Sequence, residues 1–237
     1  VTLAYLLAGV TMVALNAYVL LGGADFGAGV WDLLARGPRA ARQRAAIEQG
    51  IGPIWEANHV WVILVVVLLF TCFPPVYAHL SVALHIPISV MLVGIVLRGS
   101  AFTFRAYDST KSPVQKYWGR IFSISSTITP VVLGVCVGSL VSGALALPVN
   151  ASFADTYVMP WLTPFAFAVG FLTLAVFAFL AAVYLTVEVK EHELQEDFRR
   201  MALGAAVAVG VCAGAALFLG RASKLGVTEA LLTRAWA

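Results

Sequence analysis

The feature that most limits the fold of this chain is a series of nearly uncharged apolar runs, each about 20 residues long. That is the length a helix needs to cross a hydrocarbon layer roughly 30 Å thick. The runs cover residues 3–34, 51–73, 78–104, 121–145, 162–187 and 201–220. Inside lipid no water serves the backbone, so only helices or a closed barrel can span it. Barrel strands would alternate apolar and polar residues; these runs are continuously apolar, which selects helices. The composition agrees: 61% of the residues are hydrophobic and 11% are charged, against about 25% charged in a soluble domain. The expectation is an all-α integral membrane protein with about six transmembrane helices. Pro74-Pro75 should end the second span, Pro87 should kink the third near its start, and Pro130 lies inside the fourth.

Charge is confined largely to the connections. Arg36, Arg39, Arg42 and Arg44 fall in a short basic loop between the first two spans, and Arg105, Lys111, Lys116 and Arg120 fall between the third and fourth. Residues 188–200 hold Lys190, Arg199 and Arg200 beside five acids, whereas residues 146–161 hold no Lys or Arg. By the positive-inside rule the basic connections face the cytoplasm, which makes the chain multi-pass with its N-terminus outside. A net charge of +3, carried in loops, signals orientation and gives no reason to expect nucleic acid as a partner. The first span lacks the basic start of a cleavable signal peptide. Cys72, Cys136 and Cys212 are isolated in apolar runs and read as packing residues. Residues 221–237 read as an interfacial tail or the start of a further element.

Ionisable groups within spans are costly, so each is a functional candidate. Asp25 sits in the glycine-rich stretch 22–29, where Gly23 and Gly27 have a GxxxG spacing that lets a second helix approach closely. In the second span Trp55, Glu56, Asn58 and His59 fall within an arc of roughly 160°, which can face a bundle interior. Pro53, just before them, suits a first helical turn, whose free amides would favour an ionised Glu56. Arg98 and Arg105 are seven residues apart on one face of the third span. Arg98 is a counter-charge for Asp25 or Glu56, or it snorkels to the interface; snorkelling is the stronger reading for Arg105. Groups at a similar depth on three spans are what a proton entry path from the cytoplasm requires. A six-coordinate haem needs two facing axial ligands. His59 and His85 lie on the order of 20 Å apart in depth, His79 is at the outer rim and His192 in a loop. A bis-histidine haem is therefore not expected in this chain, a single-ligand haem stays open, and HExxH and CxxC are absent.

Gly23-Ala24-Asp25-Phe26-Gly27-Ala28-Gly29, then Pro53-Ile54-Trp55-Glu56-Ala57-Asn58-His59-Val60-Trp61, then Arg98 near the end of a span resemble subunit II of cytochrome bd-type quinol oxidases. The Trp-Glu-Ala-Asn-His-Val-Trp form is similar to the cyanide-insensitive branch. The resemblance implies a respiratory complex of the bacterial cytoplasmic (inner) membrane. In it a partner subunit I, carrying haem b and haem d-type groups, oxidises quinol and reduces oxygen to water. Subunit II would scaffold subunit I, with a small accessory subunit as a further possible partner, and would contribute a cytoplasmic proton path. Asp25, Glu56 and Arg98 match the family's motif positions and carry over as proton-path or charge-network residues, with Trp55, Asn58 and His59 beside them. No catalytic residue, bound cofactor or metal ligand is then expected in this chain.

The chain also departs from the family. Some members carry a second acid a few residues beyond the arginine, whereas Phe102-Thr103-Phe104 has none. Members have eight or more spans in two four-helix bundles. By that pattern residues 1–145 form the first bundle, and residues 146–237 supply two helices and a tail of an incomplete second one. A proton-coupled transporter and a pure scaffold remain the alternatives at this stage.

Overall fold

The computed structural model describes residues 2–52, 55–107, 113–145, 152–223 and 225–226. Pro53, Lys111, residues 146–151 and most of the tail expected at 221–237 lie outside the described residues. Within them the chain forms α1 (Thr2–Leu34), α2 (Ala40–Ile51), α3 (Trp55–Cys72), α4 (Pro74–Ala83), α5 (His85–Tyr107), α6 (Pro113–Ser142), α7 (Phe153–Tyr157), α8 (Pro164–Glu188) and α9 (His192–Ala222). Six of these helices, α1, α3, α5, α6, α8 and α9, are long and apolar enough to cross a membrane, as the apolar runs predict. Leu3, Val60, Phe70, Val187 and Phe218, each more than half exposed, illustrate how much apolar surface the bundle turns outward to lipid or to another chain.

The structure differs from the sequence reading at four connections. The basic loop after the first span contains α2, whose buried Gln43, Ile47, Gly50 and Ile51 recur at helical spacing and form one inward face. The run at 78–104 is not one kinked helix: α4 ends at Ala83 and α5 begins at His85, so the break falls at Leu84 and Pro87 lies in the first turn of α5. Pro87 has no N–H to bond the Ala83 carbonyl four residues back, so the helix is interrupted just ahead of it rather than bent at it. Residues 192–200, expected in a charged loop, are already helical as the first turns of α9. A short α7 with Ser152 as its N-cap sits between α6 and α8. Pro74 and Pro75 do close the second span, because α3 stops at Cys72 and Pro74 opens α4.

Helix α1 is central: it packs on α3, α6 and α8, while α5 packs on α6, α6 on α8 and α8 on α9. Small residues set these seams. A Cβ at Gly27 would lie 1.8 Å from the Phe177 carbonyl oxygen, and one at Gly23 2.7 Å from the Phe177 ring. The GxxxG pair therefore brings α8 into backbone contact with α1. Gly134 and Gly170 do the same between α6 and α8, where a Cβ at Gly134 would lie 2.7 Å from the Gly170 Cα. Trp31 locks the α1–α8 seam one turn further on, its indole Nε1 donating to the Ala178 carbonyl at 2.7 Å.

At one end of the bundle, called here the basic end, ion pairs tie the connections together. Arg39 makes a two-pronged contact with Asp197 at 2.6 and 2.7 Å, and Gln43 donates to the same carboxylate at 2.9 Å. Arg42 pairs with Glu191 and Glu193. These contacts clamp α2 onto the start of α9.

Candidate functional site

Asp25 lies in the glycine-rich stretch of α1 and is fully buried. Its small neighbours allow α8 and α6 to close over it. Asn58 on α3 points inward and donates from Nδ2 to Asp25 Oδ2 at 3.0 Å, with a longer contact of 3.4 Å to the Leu21 carbonyl. Two of the residues singled out in the sequence thus meet as a buried amide–carboxylate pair. Arg98 on α5 is also fully buried. Its guanidinium carbon sits 5.1 Å from the Phe26 ring, 5.4 Å from Trp55 and 5.8 Å from Phe122. That cage of π-faces stabilises a cation away from bulk solvent.

Arg98 does not form the direct ion pair expected of it with either Asp25 or Glu56. Among the described residues neither Asp25 Oδ1 nor any of the three guanidinium nitrogens has a hydrogen-bond partner, and neither does the fully buried hydroxyl of Ser126 on α6. Nor does Arg98 snorkel.

The remaining members of the second-span cluster divide. His59 is part-buried, its ring against Tyr18, Phe26 and Trp55. Its Nδ1 lies 2.9 Å from the Trp55 carbonyl. A carbonyl only accepts, so Nδ1 carries the proton of that bond. Trp55 rests on Phe102 and on Arg98. Glu56 turns the other way and is exposed. It heads an outward stripe that continues through Val60, Ile63, Val67 and Phe70, all exposed. An arc of 160° is wide enough for one edge to enter the bundle while the other leaves it.

A second buried charged cluster was missed in the sequence. Asp32, seven residues beyond Asp25 on α1, is buried. It accepts from Arg105 Nη1 at 3.0 Å and from the Ser123 hydroxyl at 2.5 Å. Arg105 also reaches Glu48 of α2 at 3.1 Å, so it is paired inside the protein rather than snorkelled. Arg44 donates to the main-chain carbonyls of Asp32 and Ala35. The available signal was the repeated seven-residue step, Asp25 to Asp32 on one helix and Arg98 to Arg105 on another.

The four histidines occupy four different settings. His59 is held as above, His79 Nε2 lies 2.6 Å from the Leu145 carbonyl, His85 packs edge-on against Tyr157, and His192 begins α9. Among the described residues no group of three His, Cys, Asp or Glu side chains is placed to hold a metal ion.

Residues 3–236 match the family described as cytochrome bd terminal oxidase subunit II. The chain belongs to this family. It is 34% identical over 134 residues to cytochrome bd ubiquinol oxidase subunit 2 of Bacillus subtilis, covering 56% of this chain and 38% of the relative. To cytochrome bd-I ubiquinol oxidase subunit 2 of Escherichia coli K12 it is 28% identical over 217 residues, 88% of this chain and 54% of the relative. The chain therefore spans about half or less of the length of these relatives. The fold matches a chain in the structure of bd oxidase from Geobacillus thermodenitrificans with a TM-score of 0.75 at 21% identity, over all of this chain and 72% of that one. In a bd oxidase subunit II, Asp25, Asn58 and Arg98 form a buried polar core on three different helices. This core can hold a proton in a site walled from lipid.

Proposed function

We propose that this chain is the haem-free subunit II of a quinol:oxygen oxidoreductase of the aerobic respiratory chain. It scaffolds a haem-bearing subunit I and carries protons from the cytoplasm toward the oxygen-reduction site in that partner. The observation that carries the reading is the buried Asp25–Asn58 pair beside the caged Arg98, in a chain matching the family across residues 3–236. The positive-inside rule supports a cytoplasmic basic end, with the N-terminus outside.

Haem b and haem d-type groups, which supply the electron transfer and oxygen chemistry when bound, belong to the partner. The outward stripe on α3 gives subunit I an apolar face with one carboxylate, Glu56, at its head. A carboxylate on such a face suits proton transfer across the subunit boundary, from Asp25 through trapped water beside Asn58 to Glu56. Trp55 and His59 pack around that route and keep lipid out of it. The packing of α8 on α1, α6 and α9 supports reading α8 and α9 as the first helices of a second bundle.

The test is quinol oxidase turnover of the assembled complex carrying Asp25→Asn or Glu56→Gln. Both should slow turnover while leaving haem content at the wild-type level. Normal turnover in both variants removes the proton-path role and leaves a scaffold. Purification of this chain as an active proton-coupled carrier without a haem protein would support the transporter reading instead.

A further inference from the structure

Three helices present matched polar residues along one seam. On α1, Asp25, Gly29 and Asp32 share a face at i, i+4 and i+7. On α6, Ser126 and Ser123 are one turn apart, and on α5, Arg98 and Arg105 are two turns apart. Gly29 lets α6 come close: a Cβ there would lie 2.2 Å from the Ser126 Cβ. The seam begins at the buried Asp25 and ends at Glu48, whose side chain is 31% exposed.

The polar atoms along its inner half are unsatisfied. Asp25 Oδ1, Arg98 Nε, Nη1 and Nη2, and Ser126 Oγ are enclosed with no protein partner among the described residues. Buried polar groups are nearly always paired with protein or ordered water. Such a convergence of donors and acceptors is the setting in which a buried water makes its usual three or so hydrogen bonds. Ser126 is unusual for its helix. Ser125, Thr127 and Thr129 donate back to a carbonyl of the preceding turn and Ser123 donates to Asp32; the Ser126 hydroxyl does neither and stays available. The outer half, by contrast, is continuously bonded from Ser123 to Asp32, to Arg105 and to Glu48.

We propose that water fills the space between Asp25, Arg98 and Ser126 and continues through Ser123 and Asp32 to Glu48, making Asp32 a second carboxylate on the proton path. The inference rests on the proton-path reading above and adds a cytoplasmic entrance through the interior of this chain. Inward transfer needs no net change at any group. Asp32, having taken a proton from the Glu48 side, gives it to the Ser123 oxygen, while the Ser123 hydroxyl releases its own proton to the inner water. Arg105 is a positioning residue: it fixes the Asp32 carboxylate so that its other oxygen meets Ser123.

The experiment uses the assembled oxidase with Asp32→Asn, Asp32→Glu, Ser123→Ala and the reference variant Asp25→Asn. Asp32→Asn should lower quinol oxidase turnover about tenfold or more, with unchanged haem content and an increased solvent deuterium isotope effect. Asp32→Glu should restore most of the rate. A structure of the complex at a resolution that orders internal water should hold at least one water bonded to Arg98, Asp25 and Ser126.

Wild-type turnover in Asp32→Asn together with slow turnover in Asp25→Asn would overturn this entrance and leave the proton path intact. Wild-type turnover in both would overturn both. If Asp32→Asn fails to assemble, Ser123→Ala decides: slowed turnover with an increased isotope effect supports the file, and normal turnover overturns it. A dry Arg98 site in a map that orders other internal waters also overturns it.

Discussion

Gly27 is where a single methyl group should do the most damage. A Cβ there would stand 1.8 Å from the Phe177 carbonyl oxygen and 2.4 Å from its carbon. Ordinary contact begins near 3.4 Å, so α1 and α8 must separate by 3.4 − 1.8 = 1.6 Å. The obstacle is backbone, which cannot swing aside as a side chain would. Overpacking of this kind costs about 1–3 kcal/mol. The separation also breaks the Trp31 to Ala178 bond of 2.7 Å one turn away, a loss of about 0.5–1.5 kcal/mol. Together they amount to about 1.5–4.5 kcal/mol, which corresponds to a fall in Tm of roughly 3–18 °C for a chain of this length. Thermal unfolding of the purified complex in detergent, with haem release as the readout, measures it. Gly204→Ala is the control, since nothing lies within 4 Å of a Cβ there. Gly27→Ala melting within about 2 °C of wild type would refute the claim that this glycine sets the α1–α8 distance.

Asn58→Ala removes the donor to Asp25 Oδ2. Losing one hydrogen bond of about 0.5–1.5 kcal/mol at a group that moves protons should slow turnover roughly 2- to 13-fold. Unchanged quinol oxidase activity would mean that the amide only packs. Arg39→Gln cuts the two-pronged contact to Asp197 that clamps α2 to α9. Asp197 favours the charged form of Arg39 through these hydrogen bonds. Hydrogen–deuterium exchange should therefore rise over residues 40–51, and an unchanged exchange pattern there would show that Gln43 and the Arg42 pairs suffice.

The six spans were legible because their cause is local. An apolar run of sufficient length has few alternatives to a membrane helix, and Pro74 and Pro75 mark a boundary by their own covalent geometry. Asp25 and Arg98 were legible for the same reason, since a charge in an apolar run must be accounted for. What escaped was whatever depends on a neighbouring helix. Asp32, Glu48 and Arg105 lie at the rims of their segments, where sequence alone reads a charge as solvated; only the meeting of α1, α2, α5 and α6 buries and pairs them. Helix α2 was hidden by its polar composition, because its inward face is only Gln43, Ile47, Gly50 and Ile51. Glu56 and Asn58 are two residues apart on one helix, and which of them turns inward is decided by where α1 lies.

The most informative geometry is an ion pair that does not form. A buried guanidinium would ordinarily close onto the nearest carboxylate, because an unpaired charge in a dry interior is expensive. Arg98 and Asp25 are kept from doing so. Asp25 is fixed on one side by Asn58 and on the other by a helix whose glycines lock it to α6 and α8; Arg98 is fixed by Phe26, Trp55 and Phe122. A closed ion pair would be stable and inert, whereas a held gap leaves both groups able to bond water and exchange a proton. Arg98→Lys separates charge from shape. The ammonium retains the charge but lacks the planar, weakly hydrated surface that stacks on aromatic rings. Stacking on each ring is worth about 0.5–2 kcal/mol, so without it the lysine should leave the cage and close on Asp25. The expected result is an assembled complex with full haem content and turnover reduced about tenfold or more. Wild-type turnover in Arg98→Lys would mean that the positive charge alone matters and that the aromatic cage does not hold the gap open.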